Sequence, residues 1–390
     1  MINRKILPLL EKEMQSDKVI VLTGMRRVGK TTLARHLYDN VRARKLFLDL
    51  ENPLNQEYFK VSDYDQIYQY LTKLAYGTGG ELVIFLDEVQ NLRNLPQVVK
   101  YLFDHYQIKF FLTGSASFYL KNLFTESLAG RKRIFELYPL DFEEFLSYKL
   151  PAFQKPTLSS RVEEPIFRYL VKYKDEYLTY GGFPSVVLKT THEEKIAEIA
   201  DIVTSYFQKE VNVLADFRKV SVLRELMFLL LTRVGNKIDV SKLSKELSVS
   251  RITIEEYLDF LEGTYFFSRI KPYSLSLDVS VRGQRKGYAS DVGFLNYAGG
   301  ITGACIFETA VYNLLRTQGA TFFYQTKHGD EIDFILKQDG RLAAFEVKEM
   351  VHQQDVNRLR RMAYKIGINK YFLVSKKFVP LETVVYLFQL

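Results

Sequence analysis

Gly24-Met25-Arg26-Arg27-Val28-Gly29-Lys30-Thr31 follows the pattern glycine, four residues, then Gly-Lys-Thr. The apolar run Val19–Thr23 precedes it and the helix-like stretch Thr31–Asn40 follows. A strand that breaks into a glycine-bearing turn and restarts as a helix is the setting in which this pattern binds phosphate. Glycines let the backbone curl until its N–H groups converge on phosphate oxygens, and the helix N-terminus adds positive potential. Lys30 is then expected to reach the β- and γ-phosphates and the Thr31 hydroxyl to ligate Mg²⁺. Gly24, Arg27, Val28, Gly29, Lys30, Thr31 and Thr32, with Ser115 further along the chain, are the expected nucleotide-binding positions.

Outward from this loop, the first 150 residues alternate in period. Strand-like runs at Val19–Thr23, Leu46–Leu50, Leu82–Asp87 and Lys109–Thr113 are separated by helical patterns at Thr31–Asn40, Tyr64–Leu74 and Leu95–Tyr106. That alternation predicts βαβ units and a parallel sheet. Leu82-Val83-Ile84-Phe85-Leu86 is apolar at every position, as suits a central strand covered on both faces, and it ends in Asp87-Glu88. Asp87 is expected to help hold the Mg²⁺ at the strand's C-terminal end, and Glu88 to act as general base on the attacking water.

Two further polar positions follow. The fourth strand runs out through Thr113-Gly114-Ser115-Ala116-Ser117, where Thr113 or Ser115 is placed to sense the γ-phosphate, or simply to end the strand. Ala129-Gly130-Arg131-Lys132-Arg133 reads either as a solvated basic turn or as the source of an arginine finger. Arg131 would then act in cis or from a neighbouring subunit.

Gly24–Thr32, Leu82–Glu88, Thr113–Ser117 and Leu128-Ala129-Gly130-Arg131 with Leu137-Tyr138-Pro139-Leu140 resemble the prokaryotic and archaeal AAA+-related P-loop ATPases. So do Tyr180-Gly181-Gly182-Phe183-Pro184 and Tyr288-Ala289-Ser290-Asp291-Val292-Gly293, so the likeness spans nearly the whole chain. In that family the ATPase domain precedes a C-terminal domain of unassigned function. The resemblance implies ATP and Mg²⁺ as ligands, hydrolysis as the activity, and in related ATPases assembly into rings.

After Leu137-Tyr138-Pro139 the texture becomes helical, and a mixed pattern returns near residue 290. The expected fold is α/β with three parts: a P-loop parallel-sheet domain at 1–150, a helical region at 151–290, and a restriction-endonuclease-like α/β domain at 291–390. Within the middle part, at about 220–275, Leu243 and Leu247, the turn Ser248-Val249-Ser250, and Ile254, Leu258 and Leu261 predict two helices joined tightly. Tyr265–Tyr273 would serve as a wing, giving a winged helix-turn-helix. Its outward face carries Arg251 and Thr253 but also Glu255, Glu256 and Asp259. Carboxylates facing a phosphate backbone oppose DNA binding, and a protein contact is the competing reading.

From residue 304 the order reads αβββαβ. Asp333, then Glu346-Val347-Lys348, resembles the core of the PD-(D/E)xK nucleases. Residues i and i+2 of a strand share a face, so Glu346 and Lys348 point together with Asp333 on the adjacent strand. The resemblance makes Glu308, Asp333 and Glu346 the ligands of a second Mg²⁺ or a Mn²⁺, and Lys348 the group that orients the attacking water. Such folds persist with or without cleavage.

The 390 residues are 47% hydrophobic and 26% charged, an ordinary globular balance that excludes a disordered or fibrous chain. The longest apolar runs, Leu82–Leu86 and Met227–Leu231, fall far short of the roughly 18–20 residues of a membrane span. No signal-peptide pattern opens the chain, and a single cysteine excludes an internal disulfide framework, so a cytoplasmic location with no membrane partner is expected. A net charge of +8 suits a polyanion such as DNA. Two functions stand: an ATPase coupled to nucleic-acid binding or processing, and an ATP-dependent regulatory switch acting on a protein partner with an inactive nuclease-like domain.

Overall fold

The sheet of the first unit is built on chain that is apolar on both faces. In the computed structural model, β1 (Val19–Thr23), β2 (Arg44–Asp49), β3 (Leu82–Asp87), β4 (Lys109–Gly114) and β5 (Lys132–Glu136) lie parallel in the order β2-β3-β4-β1-β5. The structure describes residues 3–115, 128–211, 220–274 and 283–390; Ala116 and Ser117 of the run after the fourth strand lie outside the described residues. Contacts divide the chain into two units, Met1–Tyr138 with Gly263–Tyr265, and Pro139–Glu262 with Phe266–Leu390.

In the first unit β1, β3 and β4 are buried at every position because helices cover both faces. The helix Tyr64–Leu74 begins where the Asp63 side chain accepts the Asp65 and Gln66 N–H groups. It turns Ile67 and Leu71, one helical turn apart, into the same core as Val19, Ile84 and Leu112. Each such side chain contributes about 2 kcal/mol of apolar burial. The run expected as a basic turn is corrected in part. The turn ends at Arg131, and Lys132–Glu136 continues as the edge strand β5, paired to β1 alone and only half-buried.

The second unit opens with helices Phe142–Lys149 and Glu164–Tyr180. Its helices Val240–Glu246 and Arg251–Gly263 are joined by a short turn in which Ser250 Oγ accepts the Thr253 N–H. The strand expected over Tyr265–Tyr273 shortens to β6 (Phe267–Ile270). It pairs antiparallel with β7 (Lys286–Ala289), a run sequence pattern had not marked as a strand. Then come helix Gly303–Leu315, β8 (Ala320–Gln325), β9 (Glu331–Gln338), β10 (Arg341–Lys348), helix Gln353–Lys365 and β11 (Lys370–Ser375), with β12 (Val384–Val385) at the edge. The sheet order is β12-β11-β10-β9-β8, antiparallel from β8 to β10 and parallel from β10 to β12.

The turn at Tyr180–Pro184 is fixed from a distance. Asp291 accepts the Gly182 N–H at 2.7 Å and the Gly293 N–H at 2.8 Å. A Cβ on Gly181, at φ 78°, would fall 1.7 Å from an Asp291 carboxylate oxygen. Burial pushes the Asp291 carboxyl up to about 6 against those N–H bonds. Among the described residues no helix is long and apolar enough to cross a membrane.

Candidate functional site

Strand register brings the polar ends of the first sheet to one edge. Asp49 stands level with Asp87 on neighbouring strands, and Leu22 with Thr113, one residue before β1 ends at Thr23. Gly24 follows, its absent Cβ being the condition for the turn, since that atom would lie 2.1 Å from the Leu137 carbonyl oxygen. The Leu137 N–H donates to Thr23 O at 2.7 Å, so β5 and its exit hold the loop's entry. Arg27 has φ 65° and Gly29 φ 101°, and Gly29 caps the helix Lys30–Asn40. Val28 is fully buried, Arg27 and Thr32 are exposed, and Arg4 donates to the Val28 carbonyl at 2.8 Å.

Lys30 is 4% exposed and donates to the Gly24 and Met25 carbonyls, both at 2.9 Å. Thr31 Oγ1 donates to Asp87 Oδ2 at 2.7 Å, and Thr113 Oγ1 donates to Asp87 Oδ1. Burial raises the Asp87 carboxyl, while these two hydroxyls pull it back down. Glu88 sits at φ 55°, a left-handed conformation that costs a non-glycine residue about 1–2 kcal/mol and turns the chain sharply out of the strand. Gln90 Nε2 donates to Glu88 Oε2 and, at 3.1 Å, to Ser115 Oγ. With the Glu88 N–H donating to Thr113 Oγ1 at 3.4 Å, Thr31, Asp87, Thr113, Glu88, Gln90 and Ser115 form one hydrogen-bonded cluster, and Lys30 stays bonded within the adjoining loop.

Sequence pattern missed Gln90 and Arg4, and left Thr113 and Ser115 undecided. Gln90 stood two residues beyond the acid pair; Arg4 carried no signal, being a lone arginine far from the loop in sequence. Arg131 does not join the cluster. Its carbonyl accepts the Val19 N–H at the start of β1, the end opposite the phosphate loop, and its guanidinium pairs with Asp104 at 2.7 Å. An arginine finger acting in cis is therefore corrected: the length of β1 separates Arg131 from Gly24.

In the second unit, Glu308, Asp333, Glu346 and Lys348 are brought together. Asp333 Oδ2 accepts the Val347 N–H at 2.7 Å. Glu346 Oε1 accepts from Lys348 at 2.8 Å and from Arg358, while its buried Oε2 has no hydrogen-bond donor among the described residues. Glu308 Oε1 accepts from the Tyr288 hydroxyl at 2.7 Å. Burial, reinforced by the charge of Asp333, raises both Glu308 and Glu346. Lys286 on β7 pairs with Glu331. The expected second Mg²⁺ or Mn²⁺ does not fit these residues as they stand: among the described residues no group of three or more acids, histidines or cysteines is spaced to hold a metal. Lys348 and Arg358 take Glu346 Oε1 instead, while Asp333 accepts a backbone N–H and Glu308 a tyrosine hydroxyl.

Two of the outward acids of helix Arg251–Gly263, Glu255 and Asp259, are also engaged. Arg269 on β6 pairs with Glu255, Asp259 and Glu262. Arg251, Glu255, Asp259 and Arg285 line a polar cleft of about 490 Å³ beside them.

A parallel sheet whose first strand opens into Gly-x-x-x-x-Gly-Lys-Thr, with a carboxylate on a strand beyond its neighbour touching that threonine, defines a P-loop nucleotide-binding protein. Family models agree along the chain: an AAA domain matches residues 16–146, and two domains of unknown function match 172–304 (DUF8612) and 303–387 (DUF4143). The chain thus carries an AAA domain followed by domains of unknown function, the arrangement of the AAA-related P-loop ATPases it resembles. An uncharacterised protein of Haemophilus influenzae is 27% identical over 87% of this chain and 86% of its own. One of Methanocaldococcus jannaschii is 26% identical over 86% and 75%. A Walker-type ATPase of Pyrococcus abyssi aligns with a TM-score of 0.49 at 15% identity, over 76% of this chain and 96% of that one.

Proposed function

We propose that the protein binds and hydrolyses ATP at the edge formed by Gly24–Thr32, Asp87, Glu88 and Thr113. The observation that carries this is the 2.7 Å contact between Thr31 Oγ1 and Asp87 Oδ2. It places a hydroxyl and a carboxylate, both hard oxygen donors, where Mg²⁺ coordination calls for them. Thr31 and Asp87 would hold Mg²⁺ there, and the ion would offset phosphate charge. The loop's N–H groups bind the phosphates, and Lys30 exchanges its bonds to the Gly24 and Met25 carbonyls for phosphate oxygens. Thr113 holds Asp87 in orientation. Glu88, steadied by Gln90 and Ser115, accepts the proton of the attacking water. Calorimetry with ATP and Mg²⁺ and a phosphate-release assay test the reading: binding and turnover by the native chain, both lost in Lys30→Ala, are expected. A native chain that binds no nucleotide overturns it.

Nucleotide state is then coupled to a partner through the second unit. The net charge of +8, the helix pair with its two-stranded ribbon, read as a winged helix-turn-helix, and the meeting of Asp333, Glu346 and Lys348 in a nuclease-like fold support a nucleic acid. A specific observation favours the non-cutting version of this coupling: Glu346 is held by both Lys348 and Arg358. Incubation with linear and branched DNA in Mg²⁺ or Mn²⁺, with and without ATP, decides it. No scission above an Asp333→Ala control is expected; metal-dependent scission lost in that variant would establish cutting.

A further inference from the structure

Arg4 is 5% exposed, an unusual fate for an arginine near the start of a chain. Its Nη1 donates to the Val28 carbonyl at 2.8 Å and its Nη2 to the Tyr138 carbonyl at 2.6 Å. Val28 O belongs to the peptide unit whose N–H is that of Gly29, the residue that opens the helix Lys30–Asn40. A peptide's C=O and N–H are opposite ends of one dipole, so a cation on the oxygen draws electron density away from the nitrogen and sharpens the N–H as a donor. The same guanidinium also places a full positive charge behind the loop: a Cβ on Gly29 would lie 3.9 Å from Nη1. Arg4 and Val28 are both buried, so the charge is weakly screened.

The second bond sets the position of the first. Tyr138 directly follows Leu137, whose carbonyl fills the space that a Gly24 side chain would need and whose N–H is tied to Thr23 O at 2.7 Å. Arg4 therefore spans from the strut that fixes the loop's entry to the peptide at its exit, and holds the curvature between Gly24 and Gly29.

We propose that Arg4 is a positioning residue for nucleotide binding, one that polarises the Val28–Gly29 peptide toward the phosphates from outside the loop. This rests on the ATP reading above. It acts on phosphate binding in ground state and transition state alike, so its loss raises KM while leaving kcat at saturation nearly unchanged. A purely structural role has the opposite signature: a smaller folded fraction lowers apparent kcat and leaves KM alone.

The test compares native protein, Arg4→Met and Arg4→Lys for ATP affinity and for steady-state kcat and KM. Arg4→Met is expected to weaken ATP about tenfold with kcat within about twofold. Arg4→Lys, which keeps the charge but not the two-pronged reach, is expected to fall between Arg4→Met and native. If Arg4→Met fails to fold, Arg4→Lys alone decides by the same KM-against-kcat split. Native affinity in both variants, or a fall in kcat at constant KM, overturns the inference while the ATP reading stands. A native chain that binds no ATP removes the ATP reading instead.

Discussion

The Thr31 hydroxyl and the Asp87 carboxylate are 56 positions apart in sequence and share a hydrogen bond of 2.7 Å. The fold thus sets side by side the two oxygens proposed as ligands of one cation. Thr31→Ala and Asp87→Asn are each expected to remove the Mg²⁺ dependence of ATP binding, weakening ATP in Mg²⁺ by about tenfold or more. Thr31→Ser, which keeps the oxygen, should retain it. Titrations of ATP with and without Mg²⁺ on the three variants make the comparison.

Glu88 has a different duty from Asp87, and the geometry separates them. Its carboxylate is held by Gln90 rather than by Thr31 or Thr113. Glu88→Gln should therefore bind ATP with affinity within about threefold of native and lose about 10²–10⁴ in turnover, the usual contribution of a general base. Gln90→Leu should lower kcat by a smaller factor, because Glu88 then loses its orienting partner while keeping its charge. Equilibrium binding and single-turnover hydrolysis on the same preparations check both.

Gly24 leaves no space for any side chain. At φ 155° and with a virtual Cβ 2.1 Å from the Leu137 carbonyl oxygen, Gly24→Ala must push strand exit and loop apart. Overpacking alone costs about 1–3 kcal/mol, and backbone strain adds to it. A lower urea midpoint and no measurable ATP binding are expected. Gly130→Ala, at φ 74° but with open space around it, should lose far less.

What could be read in the sequence, and what could not, follows from the range of the interactions. The Val19–Thr23 strand, the loop and Leu82–Asp87 announced themselves because each is a local pattern of apolar period, glycine placement and a terminal acid. The αβββαβ order after residue 303 was legible for the same reason. β5 was not: Lys132-Arg133-Ile134-Phe135-Glu136 is an edge strand whose charges resemble a turn, and only pairing with β1 makes it a strand. β7 was hidden likewise, since its partner β6 ends 16 positions earlier. Thr113 became distinguishable from Ser115 once the register set it opposite Leu22 and its hydroxyl reached Asp87.

The place of β5 also fixes what Arg131 can do within its own chain. Its guanidinium pairs with Asp104 at the end of β1 away from the loop. Arg131→Ala should leave ATP affinity and the turnover of dilute monomer unchanged. The lost ion pair, exposed on both sides, should cost at most about 1 kcal/mol. Turnover measured across a range of protein concentrations checks this, and a defect present only at high concentration would reveal an arginine acting on a neighbouring copy.

Asp291 gives the second unit a pH dependence of calculable sign. Its carboxyl titrates at about 6 when folded, against 3.8 when unfolded, chiefly because burial penalises the charge. Between those values the folded state holds a proton that the unfolded state has released, so this group's contribution to stability is full below about 4 and is lost as pH rises through 6. The shift corresponds to about 3 kcal/mol. Other acids titrate in the same window, and the comparison with Asp291→Asn isolates this one. The variant has one acceptor oxygen for the Gly182 and Gly293 N–H groups and should be less stable than native at pH 4. That deficit should shrink or reverse by pH 7, because only the native chain then carries a buried charge. Urea unfolding of both proteins at pH 4, 5.5 and 7 measures the difference. A deficit that stays constant across the series would mean that Asp291 ionises in the folded protein as readily as in the unfolded chain.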